Sequence, residues 1–197
     1  MGPMETMDAI DALISRVSIP QLVDPAPDEE TLQYLFQAAT RAADHACLQP
    51  FRFLSVEGEY RHELGDLYQQ AALKEDPTLS DAQLERIRML PLRAPLVLIA
   101  IAHCQQHPKV PEIEQIITAG AAVQNLITAA FALGVGAYWR TGSLAYSPEV
   151  QRLLKMSENE KIVGFIYLGT PAGKLRTPKA VDINDFYRPW QGQWQGL

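Results

Sequence analysis

The stretch from Ala119 to Gly142, AGAAVQNLITAAFALGVGAYWRTG, constrains this chain more than any other. Its first half carries no charge. Ala119, Gly120, Ala122, Val123, Leu126, Ile127, Ala130 and Phe131 recur there at helical spacing over both faces. A helix that is apolar nearly all round is covered on all sides. The spacing therefore predicts a core helix, or one shared between subunits. Gly120, Ala121 and Ala122 are small enough to let a second backbone approach. Gly134 supplies the positive φ that commonly ends a helix. Val135 to Arg140 then reads as a short strand that delivers Trp139, Arg140, Thr141 and Gly142 at one end.

The chain has 197 residues, which favours a single domain. Hydrophobic residues make up 47% and charged residues 20%, a balance that suits a packed globular protein. The formal net charge is −6, from 17 basic and 23 acidic side chains with no basic block. Phosphate backbones need clustered Lys and Arg, so nucleic acid is not an expected partner. The apolar runs are too short or too interrupted to span a bilayer. The acidic start, MGPMETMDAID, lacks the basic and apolar regions of a secretory leader. A cytoplasmic location away from membranes is expected. Two cysteines, Cys47 and Cys104, are too few for a disulfide scaffold and are expected reduced.

Taken in order, Asp8 can cap a first helix to about Val17, with Ile10, Leu13, Ile14 and Val17 on one face. Asp28 can cap a second, whose stripe is Leu32, Leu35, Phe36, Ala39 and Ala43, with Glu29 and Glu30 in the first turn. A loop from Asp44 to Pro50 leads to a strand, Phe51 to Val56. A third helix covers about Tyr60 to Leu73, with Tyr60, Leu64, Leu67 and Ala71 in register. Ser80 and Gln83 form a capping box for a fourth helix, which Pro91 ends. Leu96 to Ala102 is a continuous apolar run, the pattern of a strand covered on both faces. Pro111 and Glu112 open the long helix. Ser147-Pro148-Glu149 starts a short one. Lys161 to Leu168 is the last core strand. Ala172 to Leu197 carries Phe186, Tyr187, Trp190 and Trp194 without periodicity and is too apolar for a free tail. Four strands and six helices in mixed order predict an α+β sandwich with helices on both faces of one sheet.

No zinc motif, phosphate loop, nucleophile elbow or dinucleotide fingerprint is present. His103, Cys104 and His107 are metal-ligand types, but no second cluster completes a set, so no metal is expected. Better pointers are Arg16-x-Ser18, Arg41 and His45 around a loop, and Arg140-Thr141-Gly142 after a strand. Guanidinium forks, hydroxyls and backbone N–H groups are what an anionic, hydrogen-bonding ligand needs. Gln49 adds an amide beside Pro50 and Phe51. The residues by themselves point as far as a phosphorylated planar ligand.

Four pieces in order extend that reading: Arg16-x-Ser18, His45-x-x-x-Gln49-Pro50-x-x-Phe53, Gly134-x-Gly136-x-x-Trp139-Arg140, and Ile162 to Pro171. Together they resemble the FMN-dependent nitroreductase family, and most closely its short bacterial YdjA-type branch. The resemblance implies a three-layer sandwich, with a mixed, mainly antiparallel sheet flanked by helices, in a domain-entwined homodimer. It implies an FMN-binding domain over residues 7–171, followed by a tail, 172–197, that docks on the domain or on the partner subunit. It implies ping-pong hydride transfer from NAD(P)H, through FMN, to nitroaromatic, quinone or similar electron-poor acceptors. Arg16, Val17, Ser18, Arg41, His45, Gln49, Trp139, Arg140, Thr141 and Gly142 would then hold the cofactor. No protein side chain is expected to act as nucleophile, because the chemistry sits at flavin N5. Positions 17 and 21 carry Val and Gln where the family often has basic residues. That difference leaves a non-catalytic flavin- or ligand-binding protein as the alternative on the same scaffold.

Overall fold

The computed structural model describes residues 7–190 and Gly192. Its centre is an antiparallel sheet. Strand β3 (Leu96–His103) lies between β2 (Phe51–Glu57) and β5 (Glu160–Pro171). Strand β4 (Gly136–Arg140) pairs with β5 from Gly169 to Phe165, and β1 (Leu22–Val23) pairs with its last two residues. Every strand pairing among the described residues is antiparallel. β3 is buried on both faces, as its continuous apolar run predicts. Val97, Ile99 and Ile101 face one layer, and Leu96, Leu98 and Ala100 face the other.

The first layer is built from α3 (Tyr60–Glu75), α6 (Ser143–Tyr146) and α7 (Pro148–Leu153), with Leu64, Tyr68, Ala71, Ala145 and Val150 in its core. α4 (Asp81–Arg88) packs beside α3. The second layer is α2 (Glu29–Ala39) and α5 (Glu112–Ala132), whose Leu35, Ala39, Ala122, Val123, Leu126 and Ala130 meet the other face of the sheet. The expected sandwich is present, with five strands and seven α-helices among the described residues. The additions are β1 and α6, of two and four residues, too short to show a period.

The caps act where the sequence puts them. Asp8 accepts from Ile10 and Asp11, Asp28 accepts from Thr31, and Ser80 with Gln83 closes a reciprocal box. α5 ends at Leu133–Gly134, where Gly134 has φ +74°.

Several expectations need correction. α1 spans Ala9–Ser15, so Val17 lies beyond its end. Ile10, Leu13 and Ile14 do not meet this chain's core: they are 62%, 62% and 69% exposed. In α3 the inward register is Leu64, Tyr68 and Ala71; Tyr60, the first residue of the helix, is exposed. Ala43 lies outside α2 and is exposed. In α5 the named residues from Ala119 to Phe131 are buried or half-buried as expected, while Ile113 and Ile117, ahead of that stretch, face solvent. β5 runs on through Gly169–Pro171, because β1 supplies a partner for Thr170 and Pro171. In the tail, residues 173–190 are exposed, including Phe186, Tyr187 and Trp190. Trp194 lies outside the described residues.

Candidate functional site

The end of β4 is the chemically richest point of the sheet. Side chains alternate along a strand, so Tyr138 and Arg140 share one face and Trp139 takes the other. The Arg140 guanidinium carbon lies 4.1 Å from the centre of the Tyr138 ring and 5.4 Å from that of Tyr167. Both are cation–π distances. Its Nε is buried with no hydrogen-bond partner among the described residues. Arg140 lines a cavity of about 370 Å³ together with Tyr68, Tyr138, Thr141, Gly142 and Tyr167. Gly142 has φ +75° and opens α6, so the strand turns sharply just past the guanidinium. Burial raises the Tyr167 phenol above its ordinary range, although Arg140 and Arg93 nearby pull the other way.

Trp139 is fixed from the opposite face. The β3–β5 register slips between Ala100, which pairs with Gly164, and Ile101, which pairs with Ile162. That bulge leaves Val163 without a partner in this ladder. The Trp139 indole donates to the Val163 carbonyl at 3.2 Å. A Cβ on Gly164 would run into the same indole, so the bulge and the glycine together make its seat.

Arg16, Val17 and Ser18 leave the end of α1 and run toward β4, where the Ile19 amide donates to the Ala137 carbonyl at 3.0 Å. Val17 packs on the first-layer core. Ser18 opens on a separate depression of about 160 Å³, lined also by Gln21, Lys174 and Arg176.

The other expected group stands elsewhere. Arg41, His45 and Gln49 lie in the connection that follows α2, with His45 against the first turn of α5. Thr118 and Asn125 of α5 donate to the carbonyls of Ala43 and Ala38, which ties this connection down. His45 Nδ1 lies 2.7 Å from Glu114 Oε2, so the first turn of α5 engages the imidazole. The Asp44 carboxylate accepts from the Gln49 amide at 2.6 Å. Ala46, Cys47 and Gln49 have φ of 63°, 52° and 48°. Three non-glycine residues in the left-handed region cost of order 1–3 kcal/mol each, and such strain gathers at functional loops. Arg41, His45 and Gln49 are all exposed.

One chain thus keeps the Arg140 cavity and the loop from Arg41 to Gln49 apart, with Ser18 on a depression of its own. Arg140 pairs with Phe165, five residues along β5 from Glu160, which pairs with His103 beside the Pro50 end of the loop. At about 3.4 Å per residue that is roughly 17 Å. The Arg140 guanidinium also faces the α3 layer, while the loop packs on α5. The sequence reading missed Tyr68, Tyr138 and Tyr167. Tyr138 carried a signal, since it sits two residues before Arg140; the other two reach the cavity only through tertiary packing. His107, considered for metal binding, instead accepts from the Lys109 and Val110 amides through Nδ1.

Comparison with known proteins gives this arrangement a family. The model of the "Nitroreductase family" matches residues 13–170. The chain belongs to the nitroreductase family. Membership makes this an enzyme of the flavin oxidoreductase class. Over 179 residues the nitroreductase-family chain is 40% identical to "Putative NAD(P)H nitroreductase YdjA" of Escherichia coli K12, covering 91% of this chain and 96% of that protein. Its fold is similar to a nitroreductase-like family protein from Bacillus cereus, with a TM-score of 0.80 at 20% identity over 94% of this chain and 97% of the other. A Desulfovibrio desulfuricans structure described as a "putative nitroreductase in complex with fmn" has a TM-score of 0.69 at 20% identity, over 93% and 98%.

Proposed function

We propose that the chain acts as an FMN-dependent homodimer that takes hydride from NAD(P)H and delivers it, in ping-pong order, to nitroaromatic, quinone or similar electron-poor acceptors. The observation that carries this reading is Arg140. A guanidinium seated on two tyrosine rings, with a buried Nε left unpaired above a cavity, is prepared for an anion that the chain itself does not provide. The donor set fits a phosphate. Arg140 offers a planar fork, Thr141 a hydroxyl and Gly142 open backbone; Arg16, Val17 and Ser18, which precede the Ile19 contact with β4 but do not line the Arg140 cavity, would add a second cation and hydroxyl.

Bound FMN would supply hydride transfer at N5; the chain's own residues bind it, orient it and keep water out. Trp139, anchored on the Val163 carbonyl, fixes the direction in which β4 presents Arg140. Arg41, His45 and Gln49 would serve the ribityl chain and ring from the partner subunit. The split of the two groups within one chain supports this division, because a single copy holds them apart. The solvent-facing Ile10, Leu13, Ile14, Ile113 and Ile117 support a dimer too, as does the exposed tail, which we place on the partner. We also propose a cytoplasmic location. Purified protein should be yellow, or become so with FMN, and should carry a flavin spectrum through gel filtration. Colourless protein that takes up no FMN would reject the reading.

A further inference from the structure

The Arg140 cavity holds a second unpaired polar atom. Tyr68 lies in the third turn of α3 and is 0% exposed, with its ring edge-on to Phe165 at 5.3 Å. Its hydroxyl is buried and has no hydrogen-bond partner among the described residues. A buried hydroxyl that meets neither protein nor solvent loses its hydration with nothing in return, so native chains rarely keep one without a use. Tyr68 lines the same cavity as Arg140, whose Nε is also buried and unpaired. Two such atoms on one cavity, from different elements, point to one missing partner rather than two accidents of packing.

The charge of the cavity says what that partner is. Arg140 is the only charged residue among those lining it, and no acidic side chain of the described residues lines it. Burial, with Tyr167 close by, raises the Tyr68 phenol well above its ordinary range. The hydroxyl therefore keeps its proton and is available as a donor. A neutral donor and a guanidinium converging on an acid-free cavity select an anion. Apart from the exposed Thr141 and Gly142, the rest of the wall is aromatic or aliphatic, so a hydrogen bond to an anion beside Tyr68 and Arg140 would count for more than one in water.

We propose that Tyr68 is a ligand-binding residue of this site, donating its hydroxyl from the floor of the cavity to the same phosphate that Arg140 holds. The assignment rests on the FMN reading above and extends it to a residue of α3, an element in which the sequence reading placed no site residue. Free phosphate would satisfy the same donors, so the test separates the two sources.

Wild-type protein and Tyr68→Phe are titrated with FMN and with riboflavin, which lacks the phosphate, and FMN binding is repeated against inorganic phosphate. Loss of a hydrogen bond to a charged group should weaken FMN roughly tenfold or more in Tyr68→Phe and leave riboflavin unchanged. The variant removes only an unpaired hydroxyl, so the ligand-free protein should melt no lower than wild type, which serves as the folding control. Unchanged FMN affinity would overturn the proposal. So would equal losses for FMN and riboflavin, which would make Tyr68 a packing residue. Inorganic phosphate binding as tightly as FMN, and weakened alike in the variant, would move the cavity to free phosphate and overturn the flavin assignment. Wild type with no affinity for FMN would instead reject the functional reading on which the proposal rests.

Discussion

The indole of Trp139 donates to the carbonyl of Val163 across a bulge in the central sheet, at 3.2 Å. The bond ties a strand that presents Arg140 to the strand that anchors the whole sheet. It depends on Gly164, where a Cβ would collide with the ring. Gly164→Ala should force the indole out or push the strands apart, at a cost of about 1–3 kcal/mol, as overpacked sites do. Urea unfolding and the near-ultraviolet dichroism of Trp139 would measure it. An unchanged midpoint with an unchanged tryptophan signal would show that the seat is looser than described.

Arg140→Ala should weaken FMN binding by about 2–5 kcal/mol, the cost of removing one side of a desolvated charged contact. Arg140→Lys should recover only part of the loss, because an ammonium cannot supply a planar fork. Calorimetric titration with FMN decides this, and wild-type affinity in Arg140→Ala would remove the residue from the site.

The sequence made the caps and the long apolar elements readable because each rests on local chemistry. Asp8, Asp28 and the Ser80–Gln83 box bond to amides two or three residues away, and β3 announces burial by carrying no polar break. The period of Ile10, Leu13 and Ile14 showed that an apolar face exists, but not what covers it, and among the described residues it stays largely exposed. Helix phase is similarly blind near an end: Tyr60 fits the stripe of α3 but is exposed at its start, while Tyr68 falls inward. The site was legible as two sets of residues. Their separation on the chain was not, since it depends on which layer each β4 side chain faces. Tyr68 and Tyr167 gave no local sign, because a tyrosine in an apolar stripe reads as core.

The apolar face of α1 and the outward residues of α5 should be interface in solution. Sedimentation at micromolar concentration should give twice the chain mass. Ile14→Asp combined with Ile117→Asp should shift it toward one chain, because a charge buried in an apolar interface is costly. A single-chain mass for the wild type would contradict the dimer.

Glu149 gives the fold a predictable acid sensitivity. Its carboxylate accepts from Arg152 Nε at 2.9 Å and from Lys74 Nζ at 2.6 Å, clamping α7 to the end of α3. These hydrogen bonds, Arg152 first and then Lys74, pull it from 4.5 down to about 2. A carboxylate with a lowered folded-state pKa contributes stability that is present above its unfolded value and lost as pH falls through the folded one. The wild type should therefore be more stable than Glu149→Gln at neutral pH, and the gap should close between about pH 4.5 and 2. Urea midpoints of both proteins across that range test it; a gap independent of pH would assign the contact another role.

The central claim, that this chain carries hydride through bound FMN, is tested most directly by anaerobic reduction. FMN-loaded protein is mixed with NADH and, separately, with NADPH, the flavin absorbance is followed, and a nitroaromatic or quinone is then added. The account predicts bleaching by at least one nucleotide and recovery of the oxidised spectrum on adding the acceptor, without a ternary complex. Protein that stays yellow with both nucleotides, while keeping its FMN, would contradict it and leave a flavin-binding protein that is not an oxidoreductase.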